Sequence, residues 1–356
     1  MGVTAELLSL ERFVAPYRYD QPEVTRWVEE WLSEGSDAAS RRLLKVYESS
    51  AVRRRGSVVP IEEVFAGGDL ESRNDRYCEI AREAAANMAR RALHSAGLEA
   101  PDVDLVVSIS CTGFAIPAVD AYVADALTMG PRLARLPITE SGCAGGVVGL
   151  ARVADYLAAH PERAALLLAV EFSSLTFQRW DRSATNVVST AIFGDGGAAA
   201  VLVGPAHPLA ERRLARIAAA ESMFFPGTTH LMGFRLRNAG LQIVLDRGLA
   251  PFVRREVGAA LERFLGPLRL EPAQIAHWIL HPGGRRVIDA MVEVLELDDA
   301  LLEPTRRVLS EYGNMSSVTV LYVLWEILSA GTRPGQRGLV GAFGPGFGAE
   351  FALLEL

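Results

Sequence analysis

The stretch Glu140-Ser141-Gly142-Cys143-Ala144-Gly145-Gly146 leads from Leu136-Pro137-Ile138 into a segment with little choice of surroundings. Val147, Val148, Leu150, Ala151, Val153, Ala154 and Leu157 cover most of a helix surface. A helix apolar nearly all round belongs in a protein interior, so the fold has to bury this one. Cys143 falls at its first turn, where unpaired backbone N–H groups and the positive end of the helix dipole lower a thiol's pKa. The small residues around it leave room for a substrate to approach the sulfur. The same position equally suits a buried structural cysteine, since free cysteines are among the most buried residues.

The layout around this helix recurs later in the chain. Residues 105–110 read as a strand apolar on both faces, as in a covered sheet. It ends at Cys111-Thr112-Gly113, and a helix follows over 117–129. After the Cys143 helix, residues 164–170 form a second buried strand ending at Glu171-Phe172-Ser173-Ser174, and Phe193-Gly194-Asp195-Gly196-Gly197 leads into a strand over 198–203. The second part runs similarly. Ile279-Leu280 reaches His281-Pro282-Gly283-Gly284, a helix covers 286–295, and Gly313-Asn314-Met315-Ser316-Ser317 opens another very apolar helix over 318–328. Gly338-Leu339-Val340, Phe343-Gly344-Pro345-Gly346 and a strand over 351–356 close the chain. Cys111 to Cys143 spans 32 positions and His281 to Asn314 spans 33, although the halves share almost no sequence identity. We therefore expect an α/β protein of two similar halves, residues 1–205 and 206–356. Cys143 and Asn314 would start equivalent helices and face one another across a pseudo-twofold axis, with the site between the halves.

At 356 residues, half of them hydrophobic, the chain suits two domains or one large body with a sizeable core. A net charge of −7 argues against general binding to nucleic acid or acidic membranes. Three scattered cysteines, Cys78, Cys111 and Cys143, give neither a disulfide framework nor a zinc site, and point to a reducing, cytoplasmic setting. The first thirty residues show no charged start with an apolar core, so no signal peptide is expected. The apolar runs at 164–170 and 198–203 are too short to span a bilayer. Met1-Gly2 is not read as a myristoylation start, because Glu6 stands where Ser or Thr is needed. Residues 23–46 read as one or two exposed helices carrying Trp27 and Trp31, and 75–96 as a long helix. Arg53-Arg54-Arg55-Gly56 is either a solvated surface run or a clamp for phosphate oxygens.

Cys143, His281 and Asn314 together supply a nucleophile, a base and an oriented amide. Singly, His281 reads as a turn histidine and Asn314 as a helix N-cap. With Gly142-Cys143-Ala144-Gly145-Gly146, Phe193-Gly194-Asp195-Gly196, His281-Pro282-Gly283-Gly284, Gly313-Asn314-Met315-Ser316-Ser317 and Phe343-Gly344-Pro345-Gly346, the chain resembles the type III polyketide synthases, the chalcone synthase family, from about Val52 to its C-terminus. β-Ketoacyl-ACP synthase III, the nearest rival, differs at the histidine, asparagine and C-terminal motifs. The resemblance implies a thiolase-like fold, two β/α halves packed as a five-layered αβαβα body, and a homodimer. It implies acyl transfer to Cys143, as a thiolate paired with protonated His281, and decarboxylation of malonyl-CoA, with the enolate held by His281 and Asn314 and no metal or redox cofactor. CoA thioesters, an acyl-CoA starter and malonyl-CoA, are then the substrates, with no nucleic-acid partner and no stable membrane insertion.

By the same resemblance, Phe193 is a gatekeeper and Ile243 stands at the second gatekeeper position. Ser173, Thr176, Gly233 and Ser316 shape the cavity and Cys111 lines it, while Lys45 and Arg53 lie near the CoA-phosphate residues. Phe193 equally reads as core packing before a turn. Ile243 and Leu231-Met232-Gly233-Phe234 look like the bacterial alkylresorcinol and alkylpyrone synthases, which accept fatty acyl-CoAs. Cys111-Thr112-Gly113-Phe114 also resembles naphthalene-forming enzymes that use malonyl units alone. Other readings are an acyltransferase or thioesterase of this fold that forms no carbon–carbon bond, and a non-catalytic acyl-CoA-binding relative.

Overall fold

The computed structural model describes residues 4–34 and 43–356. Thirteen strands occur among them. They are β1 (Ala5–Phe13), β2 (Tyr17–Asp20), β3 (Arg54–Ser57), β4 (Leu105–Ile109), β5 (Ala134–Ile138), β6 (Ala164–Phe172), β7 (Asp195–Val203), β8 (Ala215–Phe224), β9 (Met232–Arg237), β10 (Gly240–Leu245), β11 (His277–Leu280), β12 (Arg337–Gly344) and β13 (Gly348–Glu355). Nine join in the order β11-β12-β13-β8-β1-β7-β6-β4-β5. Outward from the β1–β8 contact, one side runs β1, β7, β6, β4, β5 and the other β8, β13, β12, β11. The pairing matches too, with β6–β7 and β12–β13 antiparallel and β4–β6 and β11–β12 parallel. Three residue pairs form the seam, among them Glu6 opposite Arg216. The Glu6 carboxylate is buried there and accepts from Arg216 Nε at 2.7 Å.

Strand alternation sorts the apolar side chains into layers. Val107, Leu167, Ala200 and Leu202 of one half and Ile279, Val340, Ala352 and Leu354 of the other face a common central cluster. The helices Gly145–Ala159 and Thr319–Ala330 fill it. The opposite faces, with Val106, Leu166, Leu168 and Val201, pack under the helix Leu70–Ala96. In the second half Trp278, Leu280, Leu339 and Phe351 pack under Leu249–Leu265 and Arg285–Val294. The result is helix, sheet, helix, sheet, helix: the five layers of a thiolase-like fold. A buried Leu or Val in these interfaces contributes roughly 1.5–3 kcal/mol.

The two central helices nearly touch at their starts. A Cβ on Gly146 would lie 2.3 Å from the Ser317 carbonyl oxygen and 2.9 Å from Val320 Cγ1. Glycine at this point lets the Cys143 turn reach the Asn314 turn. The division expected at residues 205/206 falls in the connection between β7 and β8. The expected exposed helices over 23–46 become Gln21–Ser33 and Lys45–Ser49, with residues 35–42 outside the described part. Trp31 is buried against Phe177 rather than exposed. The strands before residue 105 and the hairpin β9–β10 are additions to the expected layout. Among the described residues no helix is long and apolar enough to cross a membrane.

Candidate active site

Cys143 lies in a 3-10 turn, Gly142–Ala144, immediately before the central helix. Gly142 takes φ +49°, and a Cβ there would meet the Pro345 ring at 2.7 Å. Asn314 is fixed from both sides. Its N–H donates to Ile192 O at 2.7 Å and its carbonyl accepts from Gly194 N at 3.0 Å. Its side-chain Oδ1 accepts from Ser316 N at 2.8 Å, a cap-like bond, and from Thr319 Oγ1 at 3.4 Å. That leaves the Nδ2 group as the working end, one hydrogen reaching Gly283 O at 3.4 Å. His281 follows β11, and its backbone N–H donates to Gly341 O at 2.8 Å. Its ring is buried, and neither ring nitrogen has a hydrogen-bond partner among the described residues. A turn histidine satisfying its own backbone would not look like this.

Cys143, His281 and Asn314 line one cavity, together with Phe193, Ile243, Cys111, Ser173, Thr176, Gly233 and Ser316. All ten residues expected at the catalytic centre and cavity wall therefore share a single space. Ser173 and Thr176 come from the 3-10 turn after β6, and Phe193 forms a bridge with Asn314 across the halves. Ile243 and Gly233 come from the hairpin β9–β10, where Ile243 pairs with Phe234 and Gly233 with Val244. A side chain at Gly233 would meet open space.

The electrostatics correct one expectation. The thiol of Cys143 is pushed up to about 11, not down, chiefly by burial and further by Glu171, against opposing bonds from Ser316 and Asn314. Burial alone drives His281 down to about 3. Enclosure outweighs the helix-start effect, because Cys143 precedes the helix and no cation among the described residues contributes to its shift. Burial thus favours the uncharged form of both groups.

A polar chain missed in the sequence runs alongside. Glu171 is fully buried near the end of β6 and accepts from Ser317 Oγ at 2.6 Å, Thr112 Oγ1 at 2.8 Å and Cys111 N at 3.0 Å. Cys111 Sγ sits 3.6 Å from Glu171 Oε2 and 3.3 Å from Ser316 Oγ, which in turn lies 3.8 Å from Cys143 Sγ. Burial, then Glu171, raises the Cys111 thiol well above its ordinary value. The available signal was a carboxylate ending an otherwise wholly apolar strand. Asp195 is similar, accepting from Val58 N, Ser174 N and Ser174 Oγ, with burial raising it to about 6.

Residues 42–208 match the N-terminal domain of the chalcone and stilbene synthases, and residues 216–355 match their C-terminal domain. A 1,3,6,8-tetrahydroxynaphthalene synthase from Streptomyces peucetius subsp. caesius is 39% identical over 342 residues, covering 96% of this chain and 90% of that protein. A putative chalcone synthase of Bacillus subtilis (strain 168) is 32% identical, covering 99% and 98%. The crystal structure of 1,3,6,8-tetrahydroxynaphthalene synthase from Streptomyces coelicolor A3(2), a bacterial type III polyketide synthase, superposes with a TM-score of 0.92 at 29% identity, covering 98% and 99%. The chain is a type III polyketide synthase.

Within the synthase, Lys45 and Arg53 do not line the cavity. Lys45 is exposed at the start of its short helix, and Arg53 is ion-paired with Glu311. The three-arginine phosphate clamp is not formed. Arg54 bonds Asp20 Oδ1 at 2.7 Å, while strand alternation in β3 turns Arg55 inward. Arg55 donates to the carbonyls of Thr190, Ala191 and Phe193 and to Gln21, so it props Phe193 from behind.

Proposed function

We propose that the synthase condenses malonyl-CoA units onto one another, without a fatty starter, and closes the chain to a naphthalene-type aromatic product. The likeness to tetrahydroxynaphthalene synthases, sequence and structure alike, carries this reading. A naphthalene skeleton is built wholly of two-carbon units and needs no alkyl starter. Cys111 beside Cys143 supports it further. Ile243 and Leu231-Met232-Gly233-Phe234 point first to a fatty acyl starter, whereas the likeness to tetrahydroxynaphthalene synthases favours malonyl units alone.

The proposed mechanism runs through Cys143, His281 and Asn314. On thioester binding, Cys143 Sγ attacks the carbonyl while His281 accepts its proton, which then passes to the departing CoA thiolate. The next malonyl unit loses CO2, and its thioester enolate oxygen is held by His281 N–H and Asn314 Nδ2–H. A neutral imidazole can donate its N–H to the enolate oxygen. The enolate carbon attacks the Cys143 thioester and sulfur leaves. This chemistry needs no metal or redox group. Lys45, exposed, is better placed than Glu311-paired Arg53 to meet CoA phosphates. A homodimer belongs to the same reading, since β5 is the outer strand of the sheet with Leu136 exposed, as are Phe114 and Ile116 after β4.

A fatty acyl starter is the second reading, favoured by the apolar wall of Leu245, Leu249, Val253 and Val287 beyond Ile243. Mass spectrometry of products from malonyl-CoA alone, then with added hexanoyl-CoA and longer acyl-CoAs, decides between them. An aromatic product from malonyl-CoA alone is expected. If product forms only with a long acyl-CoA, the order reverts, and Ile243→Phe should then shorten the preferred starter.

A further inference from the structure

The hairpin β9–β10 pairs only with itself and belongs to no larger sheet. It nevertheless supplies the cavity-wall residues Gly233 and Ile243, so something must fix its distance from the opposite wall. Its root closes through Asp246 N donating to Leu231 O at 2.8 Å. Along its length, Gln178 Nε2 reaches Leu241 O at 3.4 Å and Gln242 Nε2 reaches Asp181 Oδ2 at 3.2 Å, both long bonds. At its tip stands Arg73.

Arg73 projects from the first turn of Leu70–Ala96 and is 9% exposed. Nε donates to Asp69 O at 3.2 Å, Nη1 to Phe177 O at 2.7 Å and Leu175 O at 3.3 Å, and Nη2 to Ala239 O. Its hydrogen bonds thus all go to backbone carbonyls, and it forms no ion pair among the described residues. Leu175 belongs to the turn that carries Ser173 and Thr176, and Ala239 is the hairpin tip. Gly240, at φ +128°, completes the fit, since a Cβ there would lie 2.7 Å from Arg73 Nη2 and 2.6 Å from Gln178 Nε2. A small cleft beside Arg73 is walled by Thr112, Thr176 and Leu241, which also face the main cavity. The guanidinium therefore stands one residue layer behind the cavity wall. A planar donor fork suits several carbonyls from two segments, where an ammonium does not.

We propose that Arg73 is a positioning residue that sets the length of the synthase cavity. By tying the hairpin tip to the Ser173–Thr176 turn, it fixes the gap between Ile243 and Gly233 on one wall and Ser173 and Thr176 on the other. That gap governs how many condensations are completed before the chain escapes. The inference rests on the polyketide reading above.

The test compares Arg73→Met and Arg73→Lys with wild type by three readouts: CO2 release from malonyl-CoA, the ratio of full-length aromatic product to short lactones, and tryptic cleavage after the exposed Arg235 and Arg237 of β9. In Arg73→Met, CO2 release should stay within about twofold, while the product ratio falls about tenfold, the scale of loss from small misplacements at a reacting centre. Cleavage within the hairpin should quicken, and Arg73→Lys should be intermediate. If Arg73→Met does not fold, Gly240→Ala approaches the same tie from the hairpin side and should shift the ratio the same way. An unchanged ratio with normal CO2 release overturns this proposal alone. A parallel loss of CO2 release and product, with no change in ratio, also overturns it and assigns Arg73 to general folding. No CO2 from the wild type would instead overturn the synthase reading itself.

Discussion

The two halves are the same scaffold used for different chemistry. Counted from the β1–β8 seam, β4 corresponds to β11 and β6 to β12, so Cys111 and His281 follow equivalent strands. Cys143 and Asn314 likewise open equivalent central helices. Four functional positions thus reduce to two sites, each occupied twice by different residues. The surroundings are not duplicated. Near the end of β6 stands Glu171, bonded to the Cys111 loop, whereas the matching place in β12 holds Phe343. The first half therefore gives its thiols a buried carboxylate, and the second leaves its imidazole without a polar partner. Duplication supplies geometry, and the burial and charge of neighbours make the corresponding positions of the two halves chemically different.

The sharpest way to break the comparison is to remove one member of each equivalent pair. Cys143→Ala should abolish covalent acylation and all product. Asn314→Ala should still be acylated, while decarboxylation falls about 10²–10³-fold with the loss of one enolate donor. Intact-protein mass after acyl-CoA exposure, alongside CO2 release, checks both. An Asn314→Ala protein that cannot be acylated would falsify this division of labour.

A smaller effect tests the contact between the halves. Gly146→Ala puts a methyl 2.3 Å from Ser317 O, so the central helices must separate. Overpacking of this kind costs about 1–3 kcal/mol, read as a lower denaturation midpoint. Activity should fall further than stability explains, because Cys143 and Asn314 move apart together. Equal stability would show that the helix starts have slack.

Much of this was legible in the sequence. The apolar helices after Cys143 and Asn314 announce their own burial, and glycine-flanked landmarks at matched spacing point to the repeated layout that the strand order displays. The hairpin β9–β10 is not among the elements read from the sequence, although Met232 to Arg237 alternates and Asn238-Ala239-Gly240 marks a turn; Gly233 and Ile243 on it come from the family motifs. Glu171 escaped because a single carboxylate at a strand end looks like a surface residue until Cys111, Thr112 and Ser317 are seen converging on it. The thiol's pKa was misjudged for a related reason. Helix position can be read from a chain, but enclosure by the opposite half cannot.

The smallest effect follows from the bare environment of His281. Its pKa is about 3 in the folded protein against an ordinary 6.5. Between those values the unfolded chain binds a proton that the folded one does not, so stability falls as pH drops through that window. His281→Gln removes this penalty. Relative to wild type it should gain about 2 kcal/mol at pH 5 and nothing at pH 8, from the linkage relation. Cys111→Ser, at the equivalent place in the first half, should change no such slope, since a thiol is neutral throughout this range whether folded or not. Denaturant melts of the three proteins at pH 5 and pH 8 measure both slopes. Identical slopes for wild type and His281→Gln would mean that the imidazole keeps its ordinary affinity for a proton when folded, and that the two halves treat their equivalent residues alike.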